Sequence, residues 1–196
     1  MTRKLTVGDI SDLRAYERER PAFLRHVMDL KSRRRIGVGP IVTFVFENRD
    51  TIRFQVQEMA RVEKLITDES ILTELDTYNP LIPECCQLSA TLFVELTTAD
   101  DLREWLPKLV GIERAARLRL TDGTEVPALV EAGHEERLTR DDVTSTVHYV
   151  RWELSPAQVD TFAAGPVRLA LDHPSYERAT LLTEANRQEL LADLRP

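Results

Sequence analysis

From Leu88 to Leu96 the chain alternates without a break, with Leu88, Ala90, Leu92, Val94 and Leu96 on one side and Ser89, Thr91, Phe93 and Glu95 on the other. Successive side chains of a β-strand point to opposite faces, so a two-residue period means a strand with one face on a core. A second strand is expected at Ile41 to Phe46, where β-branched and aromatic residues dominate and both faces should be covered. Asp122-Gly123 between "ARLRL" and "TEVPALV" is a hairpin signal, because a two-residue turn needs positive φ and this pair tolerates it. Pro127 lacks an amide donor and places the second arm at a sheet edge.

Helix signals surround these strands. Thr6 with Asp9 reads as a capping-box-like start followed by Ile10, Leu13 and Tyr16, and Pro21 is expected to open a second helix through Phe23, Val27 and Leu30. The basic group Lys31, Arg33, Arg34 and Arg35 suits the negative end of that second helix. Gly37, Gly39 and Pro40 then read as a break. Asn48 or Asp50 should cap a helix carrying Ile52, Val56, Met59, Val62 and Ile66, although Ile52, Phe54 and Val56 also alternate as in a strand, and Thr67 or Asp68 should cap another helix that Pro80 limits. Thr98 with Asp101, Ser155-Pro156 and Thr183 mark three more starts, with strands at Thr144 to Leu154 and at "PVRLALD". The order from residue 88 onward is strand, helix, hairpin, strand, helix, strand, helix. It predicts an α+β fold, a mostly antiparallel sheet with flanking helices and an N-terminal helical pair, and it is compatible with a split βαβ arrangement in the C-terminal half. One domain over 1–196 is expected, helical at 1–35 and sheet-containing at 36–196.

Composition narrows the class. An apolar fraction of 42% and a charged fraction of 30% are those of a globular chain. No apolar run is long enough to cross a bilayer, and "MTRKLTVGDISDLRAYERERP" holds no signal-peptide core, so the expectation is a cytoplasmic protein without a membrane partner. Ten Lys or Arg against five Asp or Glu in residues 1 to 35, with sixteen against twenty-eight in the remainder, give a basic arm on an acidic body. The two parts attract each other, and the acidic body argues against nucleic acid as the ligand of Arg33, Arg34 and Arg35.

Catalytic motifs are missing. His26, His134, His148 and His173 are far apart and form no spaced ligand pair, and no Glu-x-x-His accompanies Glu58 or Glu74, so neither a metal site nor a cofactor is indicated. "GVGP" precedes a strand and lacks both the third glycine of a dinucleotide fingerprint and the ending of a P-loop. Cys85-Cys86 reads either as two small apolar residues entering a strand or as neighbouring thiols whose strained disulfide would be readily reduced. Polar residues concentrate in two patches: Glu47, Asn48, Asp50, Gln55, Gln57 and Glu58 around a strand end and helix start, then Glu74, Asp76, Tyr78 and Asn79 at a helix end. Such groups at strand ends and loops form sites or serve as caps and hydrogen-bond networks.

"LKSRRRIGVGP", "VTFVFENRDTIRFQVQEM", "ELDTYNPLIP" and "LSATLFVEL" resemble blocks of an uncharacterised bacterial domain-of-unknown-function family, over nearly the whole chain. The resemblance places the family's polar motif on Glu47, Asn48, Arg49, Asp50, Gln55, Gln57 and Glu58, then on Glu74, Asp76, Tyr78, Asn79 and Pro80, and on Ser89 and Thr91. Cys85 and Cys86 stand where the family pattern has glycines and polar residues. It also implies a setting beside rubrerythrin-like proteins and iron–sulfur oxidoreductases of the heterodisulfide-reductase type. The expectation is an accessory or binding protein of a redox or oxidative-stress system, docking such a partner or a small ligand through the two patches. The alternative is an enzyme in which Glu58 or Glu74 acts as general base, or in which carboxylates hold a divalent metal.

Overall fold

The structure, a computed structural model, describes residues 3–130 and 143–195. Its helices are α1 (Leu13–Arg34), α2 (Arg49–Glu63), α3 (Asp68–Tyr78), α4 (Ala99–Trp105), α5 (Pro156–Ala164) and α6 (Glu184–Leu194). Its strands are β1 (Arg35–Val38), β2 (Val42–Glu47), β3 (Gln87–Val94), β4 (Ala116–Arg119), β5 (Glu125–Pro127), β6 (Leu129–Val130), β7 (Val147–Glu153), β8 (Arg168–His173) and β9 (Tyr176–Leu181). They form two antiparallel sheets, ordered β1-β2-β3-β7-β6 and β5-β4-β8-β9, so the fold is α+β as expected.

β3 lies at the centre of the larger sheet, with Leu92 opposite Phe44 on β2 and His148 on β7. Its apolar row, Leu88, Ala90, Leu92 and Val94, joins Phe44, Phe46 and Trp152 in one cluster with Leu118, Leu169 and Leu171 of the smaller sheet. The main core therefore contains the inner faces of both sheets. The other face of β2 and β3 is covered too, and Thr43, Glu47, Ser89 and Thr91 on it are all buried. A second cluster, Leu5, Ile52, Val56, Ala60, Ile71, Leu75, Leu81 and Ile82, lies along α2, α3 and the turn after α3. A row of polar side chains is thus enclosed under the helices.

Two expectations are corrected. The N-terminal helical pair is a single-turn 3-10 helix at Val7–Asp9 followed by one 22-residue helix with Pro21 inside it. Proline in a helix interior removes a hydrogen bond and crowds the preceding turn, but α1 is held to α2 on both sides of it. Tyr16 Oη and Arg20 bind Glu58, and Phe23 packs edge-on against Phe54. Among the described residues no split βαβ unit forms either, because the strands flanking α4, like those flanking α5, belong to different sheets.

The hairpin at Asp122-Gly123 is present with a three-residue loop. Leu120 N–H donates to Thr124 O at 2.8 Å, and Gly123 takes φ +85. A positive-φ residue after a type I turn is the usual geometry of that loop. Pro127 is on the edge strand as expected. Gly37 belongs to β1, and Gly39 turns the chain into β2 with φ +74. A Cβ on Gly39 would lie 2.4 Å from Tyr176 Oη. That hydroxyl donates to Val38 O at 2.8 Å and accepts from Ile41 N–H at 3.3 Å, tying β9 to the β1–β2 turn.

Candidate functional site

β2 delivers Glu47 at its last residue, where Asn48 takes over as N-cap of α2 and its side chain accepts from the Asp50 and Thr51 amides. Thr51, in the first turn of α2, donates its hydroxyl to Glu47 Oε2, and Thr91 on β3 donates to Glu47 Oε1 at 2.7 Å. Glu47 is 7% exposed. A buried carboxylate needs such donors, since desolvation without partners costs several kcal/mol.

Glu47 lines a pocket of about 320 Å³ between the sheet and the helices. Thr51, Ile52 and Gln55 of α2, Lys31 of α1, Arg35 of β1, and Tyr78 and Leu81 at the end of α3 line it as well, with Val45, Thr91, Phe93, Val147 and Tyr149 from the sheet. The volume is at the lower end of the range for small-molecule sites, and the lining is more polar than is usual for them, since eight of the thirteen lining residues carry a polar group. Burial pushes the Tyr149 phenol up, and Tyr78 and the charge of Glu47 add to it. Arg35 is ion-paired with Glu95, which also accepts from Thr43 Oγ1 at 2.8 Å. Lys31 meets no carboxylate among the described residues and rests over the Phe54 ring at 5.9 Å.

The sequence-derived candidates separate. Glu47, Gln55 and Tyr78 of the two patches line the pocket, as does Thr91 of the motif that the resemblance placed; the other patch residues are not in the lining. Asn48 is engaged as a cap. Asp50 pairs with His26 at 2.9 Å on the surface. Gln57, fully buried, accepts from Ser11 N–H and donates to Ser11 O, both at 2.9 Å, and Asn79 makes the same two-way bond with Leu5 at 2.8 and 2.9 Å. Both amides pin the N-terminal segment by replacing a missing backbone partner. Glu58 is gripped by Arg20 at 2.8 and 2.9 Å and by Tyr16 Oη at 2.6 Å. The Arg20 guanidinium draws its carboxyl down to about 2. Glu74 is instead raised, by burial and then by the charge of Glu63, and Asp76 is exposed.

Lys31, Arg35, Val45, Thr51, Ile52, Leu81, Phe93, Val147 and Tyr149 complete the pocket. Thr91 and Phe93 were visible in the sequence as the second face of the alternating strand. Tyr149 is opposite Thr91 in register, which no local pattern reveals.

Apart from Lys31, the basic cluster is neutralised by carboxylates. Arg33 binds Asp29 and Glu189, and Arg34, 1% exposed, binds Asp193 at 2.7 Å and Glu189 at 3.0 Å. Among the described residues no group of three or more His, Cys, Asp or Glu could hold a metal ion. His148 is buried on the core face with Nε2 2.9 Å from Ser145 O, His173 Nε2 lies 3.0 Å from Val110 O, and His134 lies outside the described residues. No helix among the described residues is long and apolar enough to cross a membrane.

A family model described as "Protein of unknown function (DUF3501)" matches residues 4–194. A crystal structure of a novel protein of unknown function from Burkholderia pseudomallei is similar with a TM-score of 0.89 and 35% identity, covering 97% of this chain and 99% of that one. No curated protein matches the chain.

Proposed function

The chain belongs to the DUF3501 family of proteins of unknown function, and from that premise we propose that it is a binding protein for a small organic anion carrying a hydroxyl or amine, taken up in the pocket at Glu47. The observation that carries this reading is a set of polar groups with unused bonding capacity around one pocket. Glu47 accepts two hydroxyls and has lone pairs to spare, while the Gln55 amide, the Tyr78 hydroxyl and the Lys31 ammonium have no hydrogen-bond partner among the described residues. Lys31 and Arg35 in the lining suit the ligand's negative group. Glu47 takes its donor, and Phe93, Val147 and Leu81 enclose its apolar body.

The acid/base reading finds less support. A Glu58 carboxyl at about 2 is too weak a base near neutrality, and neither Glu58 nor Glu74 lines the pocket. A cytoplasmic redox setting and a rubrerythrin-like or iron–sulfur oxidoreductase partner belong to this proposal as the context in which the ligand would be used. Asp76→Ala tests docking of such a partner without disturbing the fold, whereas replacing Asn79 would release Leu5.

Ligand binding is tested by thermal-shift and calorimetric screening of 2-hydroxy and 2-amino carboxylates. The hit should bind Glu47→Gln and Lys31→Ala about tenfold or more weakly, the scale of a lost charge-assisted hydrogen bond. Equal affinity in wild type and both variants would refute the assignment.

A further inference from the structure

Cys85 and Cys86 occupy the turn that leads into β3, are not among the residues lining the pocket, and are the only cysteines in the chain. Neighbouring side chains in an extended strand point apart, but here Cys86 adopts φ +62, a left-handed conformation uncommon outside glycine. The consequence is that both sulfurs turn to the same side and lie 3.3 Å apart. A disulfide needs about 2.05 Å, so the sulfurs must close by about 1.2 Å. Cys85 is exposed and Cys86 half-buried, which leaves one sulfur open to reagents and the second behind it.

The pair is also joined to the end of α6. Cys86 N–H donates to Leu194 O at 3.2 Å, the Cys85 thiol faces the same carbonyl at 3.9 Å, and Cys86 O accepts from Leu154 N–H at 2.9 Å. Leu194 is buried in the main core, and Asp193 beside it is the partner of Arg34 on α1.

We propose that Cys85 and Cys86 are a peroxide-oxidisable dithiol that closes reversibly into a disulfide between neighbours and thereby loosens the end of α6. Cys85 is the attacking group, with the Cys86 S–H available to donate to its thiolate. The Cys85 sulfur, and then burial, push the Cys86 thiol up, in keeping with Cys86 holding its proton while Cys85 reacts. The Cys85 thiolate attacks one peroxide oxygen; the O–O bond breaks, leaving a sulfenic acid and hydroxide, which takes a proton to become water. Cys86 sulfur then attacks Cys85 sulfur, the S–O bond breaks, and the departing oxygen leaves as water with the Cys86 proton. Two thiols lose two electrons and one hydrogen peroxide becomes two waters. Ring closure removes the thiol that faces Leu194 O and requires the backbone at Cys86 to turn. A small strained ring is readily reduced, which makes the change reversible.

The full-length reduced chain is treated with a small excess of hydrogen peroxide and followed by thiol titration, intact mass and amide hydrogen exchange. Both thiols should disappear together with loss of two hydrogens, the chain should stay free of intermolecular disulfides, exchange should rise at the end of α6, and dithiothreitol should restore all of these. Cys86→Ser should stop at an oxidised Cys85 without an internal disulfide, and Cys85→Ser, which lacks the attacking thiol, should leave Cys86 reduced. A bifunctional trivalent arsenical should bind wild type one to one and neither variant. Unchanged thiols, oxygen addition without hydrogen loss, intermolecular disulfides, unaltered exchange at α6, or arsenical binding equal in the variants would each overturn the proposal.

Discussion

Replacing Arg34 by methionine should be among the most damaging single changes in this protein. Arg34 is 1% exposed and joins α1 to α6 through Asp193 at 2.7 and 3.2 Å and Glu189 at 3.0 and 3.1 Å, while Nη1 also reaches Glu47 O at 3.4 Å. Methionine fills most of the volume but leaves the Asp193 carboxylate, whose side chain is 5% exposed, with only Arg3 at 3.6 Å. Breaking a buried pair from one side costs about 3–5 kcal/mol. The Arg3 contact places the expected value near 3 kcal/mol, a melting temperature lower by about 6–12 °C for a chain of this size.

The pH dependence gives a sharper test. Burial raises the Asp193 carboxyl above its ordinary 3.8, and Arg34 opposes the rise. Without Arg34 the folded value climbs further, so the native state binds a proton that the unfolded state releases, and stability falls as pH rises from 3.8 toward the folded value. Urea titration of Arg34→Met against wild type should therefore show a larger deficit at pH 7.5 than at pH 4.5. The double variant Arg34→Met with Asp193→Leu should recover much of the loss, because removing both charges abolishes the desolvation penalty. A deficit below about 1 kcal/mol, or one independent of pH, would refute this account.

Glu58 gives the opposite sign. Its folded value of about 2 lies below the ordinary 4.5, so its stabilisation is complete above pH 4.5 and is lost as pH falls through 2. The drop corresponds to about 3 kcal/mol, reduced to about 1–2 by solvent at the edge of the pair, and Glu58→Gln should flatten the acid limb of the stability curve. Gly39→Ala should cost about 2–3 kcal/mol, from the positive φ and the displaced Tyr176 hydroxyl, while Gly37→Ala, where an added Cβ meets nothing within 4 Å, makes no clash; equal thermal stability of the two would contradict the turn argument. Thr91→Val should leave one Glu47 oxygen short of a donor and weaken the pocket's ligand affinity by about tenfold in calorimetry.

Local chemistry was readable wherever it acts over a few residues. The caps Asn48, Thr67, Thr98, Ser155 and Thr183 each accept from an amide in the first turn of their helix, and the alternation of β3 identified the core row. β9 was missed because it is a surface strand with only Tyr176 buried, so no two-residue pattern survives in it. β1 was hidden behind the basic helix end, since the strand begins at Arg35 immediately after α1. Pro21 misled for a related reason: tertiary contacts on both sides outweigh its local penalty.

Most element types, most capped helix ends and the α+β class were legible in the sequence, because periodicity and capping are interactions between residues one to four apart. The sequence also placed the two polar patches along the chain. What those residues do emerges from packing between the elements. Asn48, Gln57 and Asn79 satisfy backbone groups, Glu58 is neutralised by Arg20, and Glu47, Gln55 and Tyr78 meet Lys31 and Tyr149 around one pocket. The physical reason is that a carboxylate or amide carries the same donors and acceptors in every role, and its partner is chosen by packing between elements distant in sequence.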